Sequence, residues 1–207
     1  MKKLLVILGF LSGVCSASGQ HIRQEEMVAA IDRSASSLKT MQCDFTQTRE
    51  LSMLSDRMIS HGTMYYQQSG TKFRWEYLRP YKYAFVLNGR QVMMQSSDRT
   101  DIMDTSANRI FREIAGLMMN TLTGKCLTDA SGFTVRMSVE KDFWIAELTP
   151  ARRELSQFFA CIRLYFDAGK QVVVKVEITD NNKDRTRIEL KNIRTDIDID
   201  ESVFTIR

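Results

Sequence analysis

Histidine and proline are nearly missing from this 207-residue chain, with two of each. So few histidines leave little material for a zinc site, or for a nucleophile that relies on an imidazole base. No G-x-S-x-G motif presents a nucleophilic serine, and neither His21 nor His61 sits in a Ser or Cys partner motif. The four cysteines show no C-x-x-C spacing, so neither a metal knuckle nor a dithiol redox motif is indicated. Internal repeats, low-complexity tracts and linkers are lacking too, which argues for one mature domain. With 26% charged and 43% hydrophobic residues, the chain is neither disordered, nor collagenous, nor a polytopic membrane protein. What is missing favours binding over chemistry. No metal, cofactor or enzymatic activity is expected.

The N-terminus has a character of its own. Lys2 and Lys3 precede an apolar run from Leu4 to Val14, broken only by Gly9, Ser12 and Gly13; Ser16, Ala17, Ser18 and Gly19 follow. This order reads as a secretory signal peptide, too short to span a bilayer as a permanent helix. Ala17 and Gly19 make one small-x-small cleavage site, Cys15 and Ala17 another. Val14 is bulky where a lipid-anchored signal wants a small residue, which argues against acylation at Cys15. We therefore expect residues 1–19 to be removed and residues 20–207 to form a single exported, soluble domain. Loss of Lys2 and Lys3 lowers the net charge from +4 to +2, too little to suggest nucleic acid. Cys43, Cys126 and Cys161 remain. They fit one disulfide plus a free thiol, or three small buried hydrophobes, and the spacing does not choose between these.

Between Arg23 and Leu38, Met27, Ala30, Ile31 and Leu38 recur at helical spacing among charges, which predicts an amphipathic helix. The period then drops to two, with Met41, Cys43 and Phe45 alternating with Gln42, Asp44 and Thr46. Strands are also predicted over 58–67, 72–78, 83–87 and 91–95. Phe73, Trp75 and Tyr77 share one face of theirs, Arg74 and Glu76 the other. Pro80 ends one strand, and Asn88-Gly89 signals a hairpin. A second helix is predicted over Asn108–Leu122, with Asp104 or Ser106 as candidate caps and Gly124 as its stop. Five more strands are predicted, over 133–139, 143–148, 161–166, 172–179 and 185–194. Short strands joined by hairpin turns make an antiparallel meander, bent or barrel-like. Two helices are too few to cover both faces of it, so they must lie on one side or inside. The 12 methionines, Met64, Met93, Met94, Met103, Met118 and Met119 among them, suit an interior that adapts to a lipid, although an ordinary filled core would use them too.

Two acidic runs, Asp180-x-Asn182-x-Asp184 and Asp196-x-Asp198-x-Asp200, resemble the opening of a calcium loop. Arg185 and Glu201 stand where such a loop needs glycine. A turn and a solvated terminal segment are the expectation for them.

An ordered series of short signatures over residues 22–207 resembles the periplasmic outer-membrane lipoprotein carrier (LolA) family. The series comprises the first helix, Cys43-Asp44-Phe45-Thr46-Gln47, Gly62, Lys72-Phe73-Arg74-Trp75-Glu76-Tyr77 with Pro80, Leu87-Asn88-Gly89, the central helical insertion, and the ending 192–206 with Phe204. The resemblance implies an α+β fold: an incomplete antiparallel β-barrel, a strongly curved sheet with a helical lid on its concave side. It implies a monomeric periplasmic carrier that takes the acyl chains of lipidated outer-membrane lipoproteins into an apolar cavity. Its partners would be an inner-membrane lipoprotein-releasing complex and an outer-membrane acceptor. The cavity wall would be Phe45, Met64, Phe73, Trp75, Tyr77, Phe85 and Leu87, and the lid's inner face Ile110, Ile114, Leu117 and Met118. On that placement Trp75→Glu abolishes ligand uptake and spares the fold.

Hiding about 15 methylenes at roughly 0.8 kcal/mol each is worth on the order of 12 kcal/mol per acyl chain. A carrier must supply most of that and still let go. One departure from the family concerns the lid. Better-known members place an arginine in the turn before the aromatic strand, where it latches the lid; here the turn is Gln68-Ser69-Gly70-Thr71. Other readings are a similar module for another lipid such as a glycolipid, a sensing domain that binds a protein partner, and a small interaction protein with a solid core.

Overall fold

Alternation of apolar and polar residues dictates strands for most of the chain, and the computed structural model contains eleven of them. It describes residues 23–53, 56–105, 109–128 and 132–206, the side chains of 109–115 excepted. The expected signal peptide and the candidate cap Ser106 lie outside the described residues. Helix α1 (Gln24–Ser37) is followed by β1 (Thr40–Glu50), β2 (Arg57–Gln67), β3 (Lys72–Arg79), β4 (Tyr83–Asn88), β5 (Gln91–Ser96) and β6 (Thr100–Asp104). Helix α2 (Arg109–Thr123) and a short 3-10 helix at Lys125–Leu127 come next. Then follow β7 (Phe133–Glu140), β8 (Phe143–Pro150), the one-turn α3 (Arg153–Ser156), β9 (Cys161–Asp167), β10 (Val173–Thr179) and β11 (Arg185–Thr195). A second 3-10 helix, Glu201–Phe204, closes the described chain. Strand β6, α3 and both 3-10 helices have no counterpart among the elements expected from sequence.

The strands form one antiparallel sheet in the order β6-β5-β4-β3-β2-β1-β11-β10-β9-β8-β7. The first and last strands pair at its centre, Phe45 opposite Leu190, and the two halves of the chain fan out from there. Its edges, β6 and β7, are not paired with each other. Laid flat, eleven strands at ~4.8 Å spacing would reach roughly 50 Å. Yet Phe73 and Trp75 of β3, and Met137 and Trp144 of β7 and β8, belong to one apolar cluster with Met27 and Ile31 of α1. A sheet whose two wings share a core with one helix must bow around it. The bowed but unclosed sheet is the incomplete barrel expected from the sequence.

Helix α1 starts with the Glu26 carboxylate accepting from the Arg23 N–H at 3.3 Å. It buries Met27, Ile31 and Ala35 on the sheet's inner face. At its start, the Gln24 Oε1 accepts from the Met137 N–H at 3.1 Å, occupying one donor of edge strand β7. Gly124 ends α2 with φ +85°, a conformation that favours glycine. A Cβ there would also lie 2.8 Å from Cγ2 of Ile31, so this stop doubles as the seat of α1. Gly89 takes φ +59° in the β4–β5 hairpin, where Asn88 still pairs with Gln91; the turn residues are Gly89 and Arg90, one position beyond the Asn-Gly expectation.

The C-terminal segment is more than a solvated tail. Ile199 and Phe204 are buried while Asp196, Asp198 and Asp200 face water. Asp196 accepts from the Lys39 N–H at 2.9 Å, and Asp200 caps the last 3-10 helix through the Ser202 N–H at 2.8 Å. That helix packs on the outer face of β3 and β4. The outward-facing Ala84, Val86 and Met93 are buried there, giving β4 apolar contacts on both faces. Asp180 likewise closes the β10–β11 turn by accepting from the N–H groups of Asn182 and Asp184. Among the described residues no group of three or more His, Cys, Asp or Glu is placed to hold a metal ion.

Candidate functional site

The period-two register sets the inner face residue by residue. Phe45 of β1 stands opposite Gly62 of β2, Met64 opposite Cys43 and Trp75, Trp75 opposite Phe85, and Phe73 opposite Leu87. All seven expected wall residues lie on this one face. Phe45, Met64, Phe73, Trp75, Phe85 and Leu87 are buried; Tyr77 is half-buried.

Gly62 organises the aromatic part. A Cβ at this position would fall 2.0 Å from the Glu76 carbonyl oxygen and 2.4 Å from Cζ of Phe45. Without it the Phe45 ring lies over the β2 backbone and stacks on Trp75, centroids 3.9 Å apart and planes 20° apart. Tyr77 meets Phe45 edge-on at 5.3 Å, and Phe73 meets Phe85 at 6.3 Å. The series continues from Tyr77 to Tyr81 and Tyr83, toward the end of the sheet that carries the β1–β2 hairpin tip. The Tyr77 hydroxyl donates to Gln47 Oε1 at 2.9 Å. Burial is the main cause raising the Tyr66, Tyr77 and Tyr83 phenols, so they remain neutral donors across the physiological range.

The far wing completes the apolar face with Met137, Trp144, Leu148, Ile162, Leu164, Phe166 and Val176. Those strands were legible, but this half of the face was missed because no aromatic run marks it. Of the expected lid residues, Leu117 and Met118 are half-buried, and Met118 packs with Met119 against the core. The side chains of Ile110 and Ile114 lie outside the described residues. Cys43, Cys126 and Cys161 are free thiols. Burial pushes the first two up to about 12, which keeps them inert as small hydrophobes.

The wall residues fill one another's space. Trp75 is 4% exposed, so a carboxylate there would be buried without a partner. Trp75→Glu would therefore damage the fold, a correction to the expectation that it spares it. Lys72, just after the turn that lacks the family arginine, pairs with Glu201 in the C-terminal segment. Arg74 points outward, 2.9 Å from Glu76, and donates to the Val203 carbonyl at 3.2 Å. Lys72 and Arg74 thus hold the C-terminal segment, through its 3-10 helix. Two surface hollows of about 310 and 250 Å³ are lined mainly by charged and polar residues, with one apolar residue each, Leu51 and Met93, away from the inner face.

The class these elements define is a bowed, unclosed antiparallel sheet with helices on its apolar concave face. Within that class, this chain belongs to the LolA family: the pattern for outer membrane lipoprotein carrier protein LolA matches residues 36–207. An outer-membrane lipoprotein carrier protein of Methylococcus capsulatus is 27% identical over 203 residues, covering 98% of this chain and 91% of that one. One from Coxiella burnetii is 24% identical over 213 residues, covering 100% and 94%. An uncharacterized conserved protein of Thermus thermophilus superposes with a TM-score of 0.56 at 10% identity, covering 87% of this chain and 91% of that one, a likeness of fold alone. The family's carriers are periplasmic transport proteins, not enzymes.

Proposed function

We propose that this protein binds the acyl chains of lipoproteins between its sheet and its helices and carries them from the inner to the outer membrane. Residues 1–19 would direct its export, and the processed chain would work as a soluble monomer. It would receive cargo from an inner-membrane releasing complex and pass it to an outer-membrane acceptor. The observation that carries the reading is a continuous apolar inner face, with an aromatic run on one wing and mainly aliphatic residues beside Trp144 and Phe166 on the other, under a helix that brings Met118 and Met119 against it. Edge strands β6 and β7 come before and after that helix in sequence and are not paired with each other, so a shift of α2 need break no ladder between them.

The packed face is then a collapsed, unliganded state. Acyl chains would displace α2 and replace its contacts, and the lost helix packing would offset part of the gain so that release stays accessible. Native mass spectrometry of protein purified from the periplasm tests this directly. Co-purified triacylated lipoprotein supports the reading, a glycolipid would point to a different cargo, and no uptake of a fluorescent fatty acid would refute both.

A further inference from the structure

Large apolar side chains exposed to solvent concentrate at one end of the sheet. The β1–β2 hairpin, the β3–β4 turn, and the β8–β9 and β10–β11 connections all lie there. Met53 is 93% exposed and Phe158 61%, and Met58, Ile59, Leu78 and Tyr81 are about half exposed. Of the large apolar residues exposed elsewhere, Phe143 and Val139 belong to the opposite end and Ile102 to edge strand β6. At this end opens the larger of the two hollows, about 310 Å³, lined by Leu51 and Ser52 of the hairpin, by Glu50, Asp56 and Arg57, and by Lys183 and Arg185. Hydrogen bonds hold its rim. The Ser52 N–H donates to Asp184 at 2.8 Å and the Ser52 hydroxyl to the Asn182 carbonyl at 2.7 Å. Asn181 Nδ2 donates to the Ser156 carbonyl at 2.7 Å, tying the segment that bears Phe158 to the same turn.

Of the acids nearby, Asp56 in the hollow and Glu154 are exposed, while Glu50, Asp180 and Asp184 are engaged. Glu50 pairs with Arg57 at 3.1 Å, and Asp184 and Asp180 accept backbone N–H groups. Lys183 and Arg185 line the hollow, while Arg49, Arg79, Arg152 and Arg153 are exposed around this end. Apolar side chains at the tips of several turns, interleaved with Lys and Arg, suit a surface that sinks shallowly among lipid head groups. A protein interface would favour one contiguous apolar core instead.

We propose that this end of the sheet docks on an anionic phospholipid bilayer, with the Lys183–Arg185 hollow taking a lipid phosphate and Met53, Phe158 and Tyr81 entering the interfacial layer. The proposal does not depend on what the inner face carries.

Flotation of the purified, processed protein with protein-free vesicles tests it. Binding is expected to vesicles containing phosphatidylglycerol, weak to pure phosphatidylcholine, and to fall with added salt. The double variant Lys183→Glu/Arg185→Glu should bind roughly tenfold more weakly, and Met53→Asp/Phe158→Asp should also lose binding. All four side chains are exposed, so the fold is expected to survive, which thermal unfolding checks. Arg90→Glu/Lys141→Glu, at the opposite end, should bind like the parent. No binding to phosphatidylglycerol vesicles overturns the proposal, as does equal loss in both charge-reversed pairs, which would mean unlocalised attraction. Retention only on membranes that still contain protein would also overturn it, in favour of a protein receptor. Fluorescent fatty-acid uptake should stay unchanged in the variants, which separates a failure here from a failure of the carrier reading.

Discussion

The Phe45 ring lies flat on Trp75, 3.9 Å away, on ground that Gly62 leaves bare. Three strands cooperate in that contact: β1 supplies one ring, β3 the other, and β2 the missing side chain between them.

Gly62→Ala should therefore be costly for a single methyl group. The Glu76 carbonyl belongs to the paired strand and cannot swing aside, and Phe45 could yield only by leaving Trp75. Overpacking of this kind costs about 1–3 kcal/mol, and the conflict with backbone puts this position at the upper end. Urea denaturation should show the midpoint falling with little change in slope.

Trp75 and Trp144 are the only two tryptophans and lie on opposite wings of the inner face. In Trp144→Phe the remaining indole reports on Phe45's neighbourhood alone. A brominated fatty acid should quench most of its emission if acyl chains reach the aromatic wing. Emission that stays constant while ligand binds would place the ligand elsewhere.

Phe204 is wholly buried, although it sits close to the C-terminus, with Thr205, Ile206 and Arg207 after it. Phe204→Ala should cost about 3 kcal/mol, the low end for a buried phenylalanine, because the terminal segment can relax outward. Thermal unfolding should show the loss. Hydrogen exchange should quicken first in the last 3-10 helix and then in β4, whose Val86 it covers.

The thiols of Cys43 and Cys126 ionise in the folded protein only near pH 12, against an ordinary 9.0. In the unfolded chain they ionise earlier, so the native state holds more protons in that interval. Their contribution to stability is complete below pH 9 and is lost as pH rises toward about 12. At pH 8 both should resist an aromatic disulfide reagent until guanidinium unfolds the protein. Fast reaction of either in the native state would contradict the packing described for β1 and the 3-10 helix after α2.

Much of this architecture is legible in the order of residues. The 3.6-residue period located α1, and alternation located ten of the eleven strands, because a strand with one buried face must alternate. Strand β6 carries only Ile102 and Met103 as apolar residues in a polar edge segment, and its pattern is too short to read. The aromatic wing stood out because Phe73, Trp75 and Tyr77 repeat within one strand. The far wing, from Met137 to Val176, is spread over several strands and converges only when they pair. The Asp196–Asp200 run reads as solvated because its aspartates are; Ile197 and Ile199 alternate with them and turn partly or wholly inward.

Local patterning, which needs only neighbours along the chain, therefore determined the elements, the apolar face of the aromatic strand and the kinship with lipoprotein carriers. Pairing of β1 with β11, the bow of the sheet around α1 and the burial of Phe204 depend on segments far apart in the chain. So does the grouping of Met53, Lys183 and Phe158 at one end. No local period encodes which distant segments meet; the shared burial of their side chains decides it.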